Sequence, residues 1–308
     1  MEIINQKTGD TAFHKIVSNG LEETRNFCES SKYEQKILEV SNFAYQRPIH
    51  VSVAAKNPAL VRYLLQKGAE VDSFKKGDWT SLMVASAQTG AAAAEIAEIL
   101  IDAGANAELK NKDGWTAMHI ACRTGHVTVV QLLARHRPTL VATPSRNGRL
   151  PLHIAALNAH TAVVKFLIEV GGVESASKAD FCGSTPVLDA AAGGSLDTLA
   201  FLAELDDLRK HKDERGLNCL HRAAQIGSVE LLRFLVEEKR FNLDEETRDG
   251  FSAVMLAAME GQVTAVILLF RFGAATQTSS RNVFALARGL PSEELKHHFL
   301  NSKAGEVK

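Results

Sequence analysis

Residues 105–126 read ANAELKNKDGWTAMHIACRTGH, and this stretch decides the fold. Gly104-Ala105 stops a preceding helix, glycine being the residue that enters the left-handed conformation a helix end requires. Asp113-Gly114 is a tight-turn pair. Thr116 suits a helix N-cap, and Ala117-Met118-His119 opens a helix that runs through the small pair Ala121-Cys122 to Gly125. The arrangement returns along the whole chain. The fourth residue of the Thr-x-x-His tetrad falls at His14, His50, Met83, His119, His153, Leu188, His221 and Met255, giving separations of 36, 33, 36, 34, 35, 33 and 34 residues. A fixed period of this size marks stacked supersecondary units, each burying its apolar face against its neighbours.

Each unit reads alike. The first helix carries a small pair such as Ala155-Ala156, Ala223-Ala224 or Ala257-Ala258, which lets neighbouring helices approach closely. The second helix has apolar residues at i, i+3 and i+4, as in Val129-Val130-Leu132-Leu133 and Leu231-Leu232-Phe234-Leu235. An extended loop with a tight turn follows. The tetrad, the small pair and the Asp-Gly turn together resemble the ankyrin repeat family. That resemblance implies an all-α repeat, an ankyrin solenoid of about eight helix-turn-helix repeats with projecting β-hairpin fingers and a C-terminal cap. The expected organisation is one domain over residues 1–308. Residues 1–46 form a degenerate capping repeat, 47–278 the regular repeats, 279–300 the C-terminal cap and 301–308 a tail. In the first unit, Ser30 to Gln46 replaces the usual finger. Ala91 to Ile101 lengthens the second helix of the third unit, and the fingers after Val170 and Leu205 are irregular.

Composition narrows the function. The net charge is −1, which argues against general nucleic-acid binding, since that needs a basic field. No run approaches the roughly 18 apolar residues of a membrane span, and the first residues lack the pattern of a secretory signal. The four cysteines, Cys28, Cys122, Cys182 and Cys219, form no CxxC pair and read as free thiols of a reducing compartment, cytoplasm or nucleus.

Five of the eleven histidines occupy the tetrad. Met83, Leu188 and Met255 replace histidine there, which a shared catalytic role would not allow. The histidines therefore read as bridges between loops. No catalytic constellation, metal-ligand spacing or phosphate loop is present, so no enzyme, metal or cofactor is expected. The informative residues are those the repeat leaves open. Lys76 and Trp79, Lys112 and Trp115, Arg146 and Arg149, and Phe251 lie at finger tips, and Arg123 lies at the end of a first helix. The chain's two tryptophans, Trp79 and Trp115, share one slot in consecutive repeats. Tryptophan and arginine are the residues most enriched at binding hot spots. From Lys110 to Arg149 seven cationic residues face Asp113 alone. A basic, aromatic face in a neutral protein suits an acidic protein partner.

A narrower resemblance rests on Val71-Asp72 with Lys75-Lys76 and Asp78-Trp79-Thr80, on Leu109 to Trp115 with His119-Ile120-Ala121, and on Leu220 to Ala224 with Arg233 to Val236. These stretches resemble ankyrin repeat proteins that act with alanyl-tRNA synthetase. The resemblance implies that the partner is the synthetase's catalytic domain and the role is to limit serine mischarging. It also implies that finger lysines, matched here by Lys76 and Lys112, accept misactivated serine. A third such lysine would fall near Ala142. A monomer that binds neither nucleic acid nor membrane is expected. The alternative is a scaffold or signalling adaptor with another protein partner.

Overall fold

In a computed structural model of the chain, residues 3–5, 7–30 and 35–281 are described. The expected C-terminal cap, from residue 282 on, and the tail 301–308 lie outside them. The chain partitions into two compact units, Met1–Pro151 and Leu152–Lys308.

The first unit holds four helix pairs: α1 (Ala12–Asn19) with α2 (Leu21–Ser30), α3 (Pro48–Ala54) with α4 (Pro58–Gln66), α5 (Ser81–Ser86) with α6 (Ala91–Asp102), and α7 (Ala117–Thr124) with α8 (Val127–His136). First helices pack side by side, α1 on α3, α3 on α5 and α5 on α7, and second helices follow in the same order. Close approach needs small side chains, and Ala121 and Cys122 are fully buried at that contact. From the second helices Leu60, Leu64, Ile96, Leu100 and Leu133 are fully buried, each contributing about 1.5–3 kcal/mol through removal from water. The long α6 accounts for the wider spacing in the third repeat.

The second unit repeats the plan. After α9 (Pro151–Leu157), at the partition itself, come α10 (Thr161–Gly171), α11 (Pro186–Ala192) with α12 (Leu196–Leu205), α13 (Cys219–Ile226) with α14 (Val229–Arg233), and α15 (Ala253–Met259) with α16 (Val263–Arg271). Short 3-10 turns at Val173–Ser177 and Leu208–Lys210 stand where irregular loops are expected, and Phe234–Glu238 continues α14 as a π-turn. The described residues are thus an all-α repeat with only two-stranded hairpins for sheet, β1 (Ile3–Asn5) with β2 (Asp10–Thr11) and β3 (Phe74–Lys75) with β4 (Trp79–Thr80).

The tetrad histidines explain how each first helix starts. In a capping box the third helical residue returns a hydrogen bond to the cap's N–H, usually from Glu or Gln. Here histidine does so. The N–H of Thr11, Arg47, Thr116 and Asn218 donates to Nδ1 of His14, His50, His119 and His221 at 3.1–3.3 Å. With Nδ1 accepting, the proton sits on Nε2, which donates onward to a carbonyl of the following loop. His14 reaches Gln46 at 2.8 Å, His50 reaches Ser73 at 3.1 Å and His119 reaches Arg149 at 3.1 Å. His153 reaches Ser184 at 3.1 Å and His221 reaches Glu245 at 3.0 Å. Where Leu188 fills the tetrad, the bridge runs the other way: His211, from the next loop, places Nδ1 3.1 Å from the Thr185 hydroxyl.

One expectation is corrected. Asn42–Gln46 does not replace the first finger; it forms one. Asn42 N–H donates to Gln46 O at 3.1 Å and Tyr45 N–H to Asn42 O at 2.9 Å, matching Asn111 to Trp115 and Gly114 to Asn111 at 2.9 Å each. The turn was hidden because Tyr45, at φ 56°, holds the left-handed position that Gly114 holds at φ 74°. That conformation costs an L side chain about 1–2 kcal/mol.

Candidate functional site

Successive finger tips are joined by their backbones. In the first unit the N–H of Phe43 donates to Thr8 O at 2.9 Å, Lys76 to Ala44 O at 2.9 Å, Lys112 to Gly77 O at 3.1 Å and Arg146 to Asp113 O at 3.3 Å. In the second unit Glu214 donates to Cys182 O at 3.1 Å and Arg248 to Arg215 O at 2.9 Å. This ladder fixes the register of the tips. It brings Phe43, Lys76, Lys112 and Arg146 to equivalent positions, all four exposed. Of the residues singled out from the sequence, it aligns Lys76, Lys112 and Arg146 in one row and Trp79, Trp115 and Arg149 in a second.

Both tryptophans are half-buried. The Lys75 ammonium lies 5.4 Å from the Trp79 ring centre, and the Arg123 guanidinium lies 5.3 Å from that of Trp115. A cation over an aromatic face is held by the ring's quadrupole. The Trp115 ring also stacks on His119, with centroids 6.1 Å apart and 25° between planes. The ring is thus held between the fold and a cation while remaining partly exposed. Arg149 is half-buried, and its carbonyl takes the His119 bond. Phe251 belongs to the second unit, where the Arg281 guanidinium lies 3.9 Å from its ring centre.

The lysines differ in their surroundings. Lys76 and Lys112 project into solvent. Lys75 is half-buried, and burial pulls its ammonium below the usual lysine range. Lys110 is anchored, its Nζ donating to Pro144 O at 2.8 Å. The burial of Lys75 is a feature that residue type alone does not reveal.

Burial dominates the buried titratable groups. It lowers His50 to about 4, against opposition from the Ser73 carbonyl, and Lys75 and Arg47 push the same way as burial. His221 is lowered for the same first reason. Burial pushes the Cys219 thiol up to about 12 and raises Cys122 further, so both remain protonated, inert thiols. Among the described residues no group of three or more His, Cys, Asp or Glu is placed to hold a metal ion, and no helix is long and apolar enough to cross a membrane.

Sequence reading passed over two groups. Phe43, Tyr45 and Phe74 are exposed to 59, 64 and 46% on the first two fingers. The signal was there, since the first finger's span carries two aromatics, but without a glycine its turn could not be placed. Arg47 stands where four other repeats have Thr11, Thr80, Thr116 and Thr185, and its guanidinium pairs with Glu39 and Glu70.

Comparison with known proteins agrees with this geometry. The family description "Ankyrin repeats (3 copies)" matches residues 82–179, 135–210 and 187–280. The chain is 29% identical over 169 residues to the probable E3 ubiquitin-protein ligase XBOS32 of Oryza sativa subsp. japonica, covering 53% of this chain and 32% of that protein. It is 26% identical over 213 residues to the B-cell lymphoma 3 protein homolog of Mus musculus, covering 68 and 46%. It is 32% identical over 208 residues to the ankyrin repeat and KH domain-containing protein mask-1 of Caenorhabditis elegans, covering 65 and 7%. The chain spans less than half the length of each of these relatives.

Proposed function

This chain belongs to the ankyrin repeat family, and on that premise we propose that its first unit is a non-enzymatic docking surface for a protein partner, the catalytic domain of an alanyl-tRNA synthetase. The observation that carries docking is the pair Trp79 and Trp115. They are half-exposed in one slot of consecutive fingers, each under a cation. A rigid aromatic with a desolvating cation is the kind of anchor that dominates interface energetics. Lys76, Lys112, Arg123, Arg146 and Arg149 supply a positive rim that would steer an acidic partner. The synthetase itself comes from the resemblance of the Lys75–Trp79 and Leu109–Trp115 fingers to ankyrin repeat domain-containing protein 16. With it comes the role of keeping misactivated serine from alanine tRNA.

In the acyl-acceptor extension, a neutral lysine amine attacks the carbonyl of a seryl adenylate. An amide bond forms, adenylate leaves with the electrons of the broken acyl–phosphate bond, and the amine's proton passes to solvent. An exposed lysine is almost fully protonated at pH 7, its pKa being near 10.4. Holding the amine beside the adenylate would offset part of that handicap. After incubation with synthetase, serine and ATP, peptide mapping should find seryl-lysine at Lys76 or Lys112; its absence from both refutes the extension.

Docking is tested by Trp115→Ala, which should weaken binding of purified synthetase by about 2 kcal/mol or more; unchanged affinity removes Trp115 from the site. The second reading, a scaffold or signalling adaptor, is favoured by the spread of names among the relatives that share the repeats. A pull-down compared between wild type and a Trp79/Trp115 double alanine variant separates the two by the partner that is lost. The same proposal takes the chain to be a cytoplasmic or nuclear monomer forming one ankyrin-repeat domain.

A further inference from the structure

We propose that the finger tips of the first unit bind an extended acidic peptide, an aromatic residue seated on Phe43 and Tyr45 and a carboxylate at every third residue beyond it against Lys76, Lys112 and Arg146. The proposal rests on the reading of this face as a protein-docking surface, and not on the identity of the synthetase.

The register comes from the backbone ladder, which puts the four residues in one row, one per finger. Fingers follow the stacking of the helices behind them, whose axes lie about 8–10 Å apart. A peptide in the extended polyproline II conformation has three residues per turn and rises about 3.1 Å per residue, so every third side chain lies on one face. Three residues therefore span one finger, and side chains at i, i+3, i+6 and i+9 meet successive tips. Among the described residues Lys76, Lys112 and Arg146 have no ion-pair partner, so their charge is available.

Tyr45 points to the aromatic end. Its place in the turn is held in the following fingers by Asp78 at φ 62°, Gly114 and Gly148. Asp tolerates the left-handed region and glycine is indifferent to it. Tyrosine is strained there, and at 64% exposure burial does not offset the strain. Strain that persists at an exposed tip is the mark of a side chain kept for contact. Phe43, beside it in the row, is 59% exposed although its inner edge rests on Gly9. Lys7 stands in the preceding turn between β1 and β2, so the aromatic pair is bracketed by cations.

A nucleic-acid strand fits less well. The exposed carboxylates of Asp78 and Asp113 lie between the cations of the row. They would repel a backbone charged at every nucleotide, whereas a peptide can carry uncharged residues there.

The test uses the whole chain and the labelled peptide Trp-Gly-Ser-Glu-Gly-Ser-Glu-Gly-Ser-Glu, read by fluorescence anisotropy at low ionic strength. A peptide of the same composition with its three glutamates contiguous is the control. The spaced peptide should bind at least about fivefold more tightly than the control, a difference near 1 kcal/mol. Lys112→Glu should abolish that preference. Tyr45→Gly should weaken the spaced peptide about fivefold with no loss of thermal stability. Equal affinity for the two peptides, or indifference to Tyr45→Gly, overturns the proposal. Tighter binding of an oligouridylate than of the spaced peptide overturns it in favour of nucleic acid. If the peptide fails while synthetase binding persists and depends on Trp115, this proposal falls and the docking reading stands.

Discussion

Acid should loosen the first unit through His50, and the size of the effect can be worked out. His50 is fully buried, accepts the Arg47 N–H at 3.1 Å and donates to the Ser73 carbonyl at 3.1 Å. Both bonds require the neutral ring with its proton on Nε2. Burial lowers its pKa from 6.5 to about 4. The unfolded chain then binds more protons than the folded one between these values. Its contribution to stability is complete above the unfolded value of 6.5, falls as pH drops toward 4 and is flat below that. At 1.36 kcal/mol per unit the whole loss is about 3 kcal/mol, of which about 2 kcal/mol falls between pH 7 and pH 5. Other groups also titrate in this window, so the test is a difference. Urea unfolding of wild type and His50→Leu at the two pH values isolates the His50 share; Leu188 shows the fold accepts leucine in the tetrad. Tryptophan fluorescence reports this unit, because Trp79 and Trp115 both lie in it. The variant starts weaker by about 1–3 kcal/mol, having lost the histidine's bonds. Its further loss on going to pH 5 should be smaller than that of wild type by about 2 kcal/mol. An identical acid loss in the two proteins refutes the reasoning.

Glycine 114 and glycine 104 both sit at positive φ, but only the first is crowded: a Cβ on Gly114 would lie 2.5 Å from Arg146 N, while one on Gly104 meets nothing within 4 Å. Gly114→Ala should therefore cost clearly more than the roughly 1 kcal/mol expected of Gly104→Ala, and equal costs by chemical denaturation would contradict the close approach. Arg47→Ala removes pairs with Glu39 and Glu70 that are partly exposed, so the loss should be about 1 kcal/mol and shrink with added salt. A maleimide should label exposed Cys182 quickly in native protein and reach Cys28, Cys122 and Cys219 only as the chain opens, as the labelled peptides will show by mass.

The repeat was legible because its rules are local. Thr116, His119, the pair Ala121-Cys122 and Gly125 recur at a fixed period, each for a reason that one turn of chain contains. What stayed hidden depended on substitutions that only three dimensions connect. Tyr45 disguises a finger by taking a glycine's conformation. His211 restores from the following loop the bridge that Leu188 omits. The slot shared by Trp79 and Trp115 was visible as a residue type out of keeping with its place. The cations on the two rings, and the weakened ammonium of Lys75, needed coordinates, since they arise from burial and distance.

The tip-to-tip hydrogen bonds carry one more implication. Each tip's amide at the row position, on Lys76, Lys112 and Arg146, is already committed to the finger before it. A visiting chain cannot use those amides to extend a sheet. Recognition at the tips is left to side chains, and those of Lys76, Lys112 and Arg146 are exposed. The alphabet displayed along the row can be rewritten finger by finger, changing what is bound while the frame that spaces the letters stays the same.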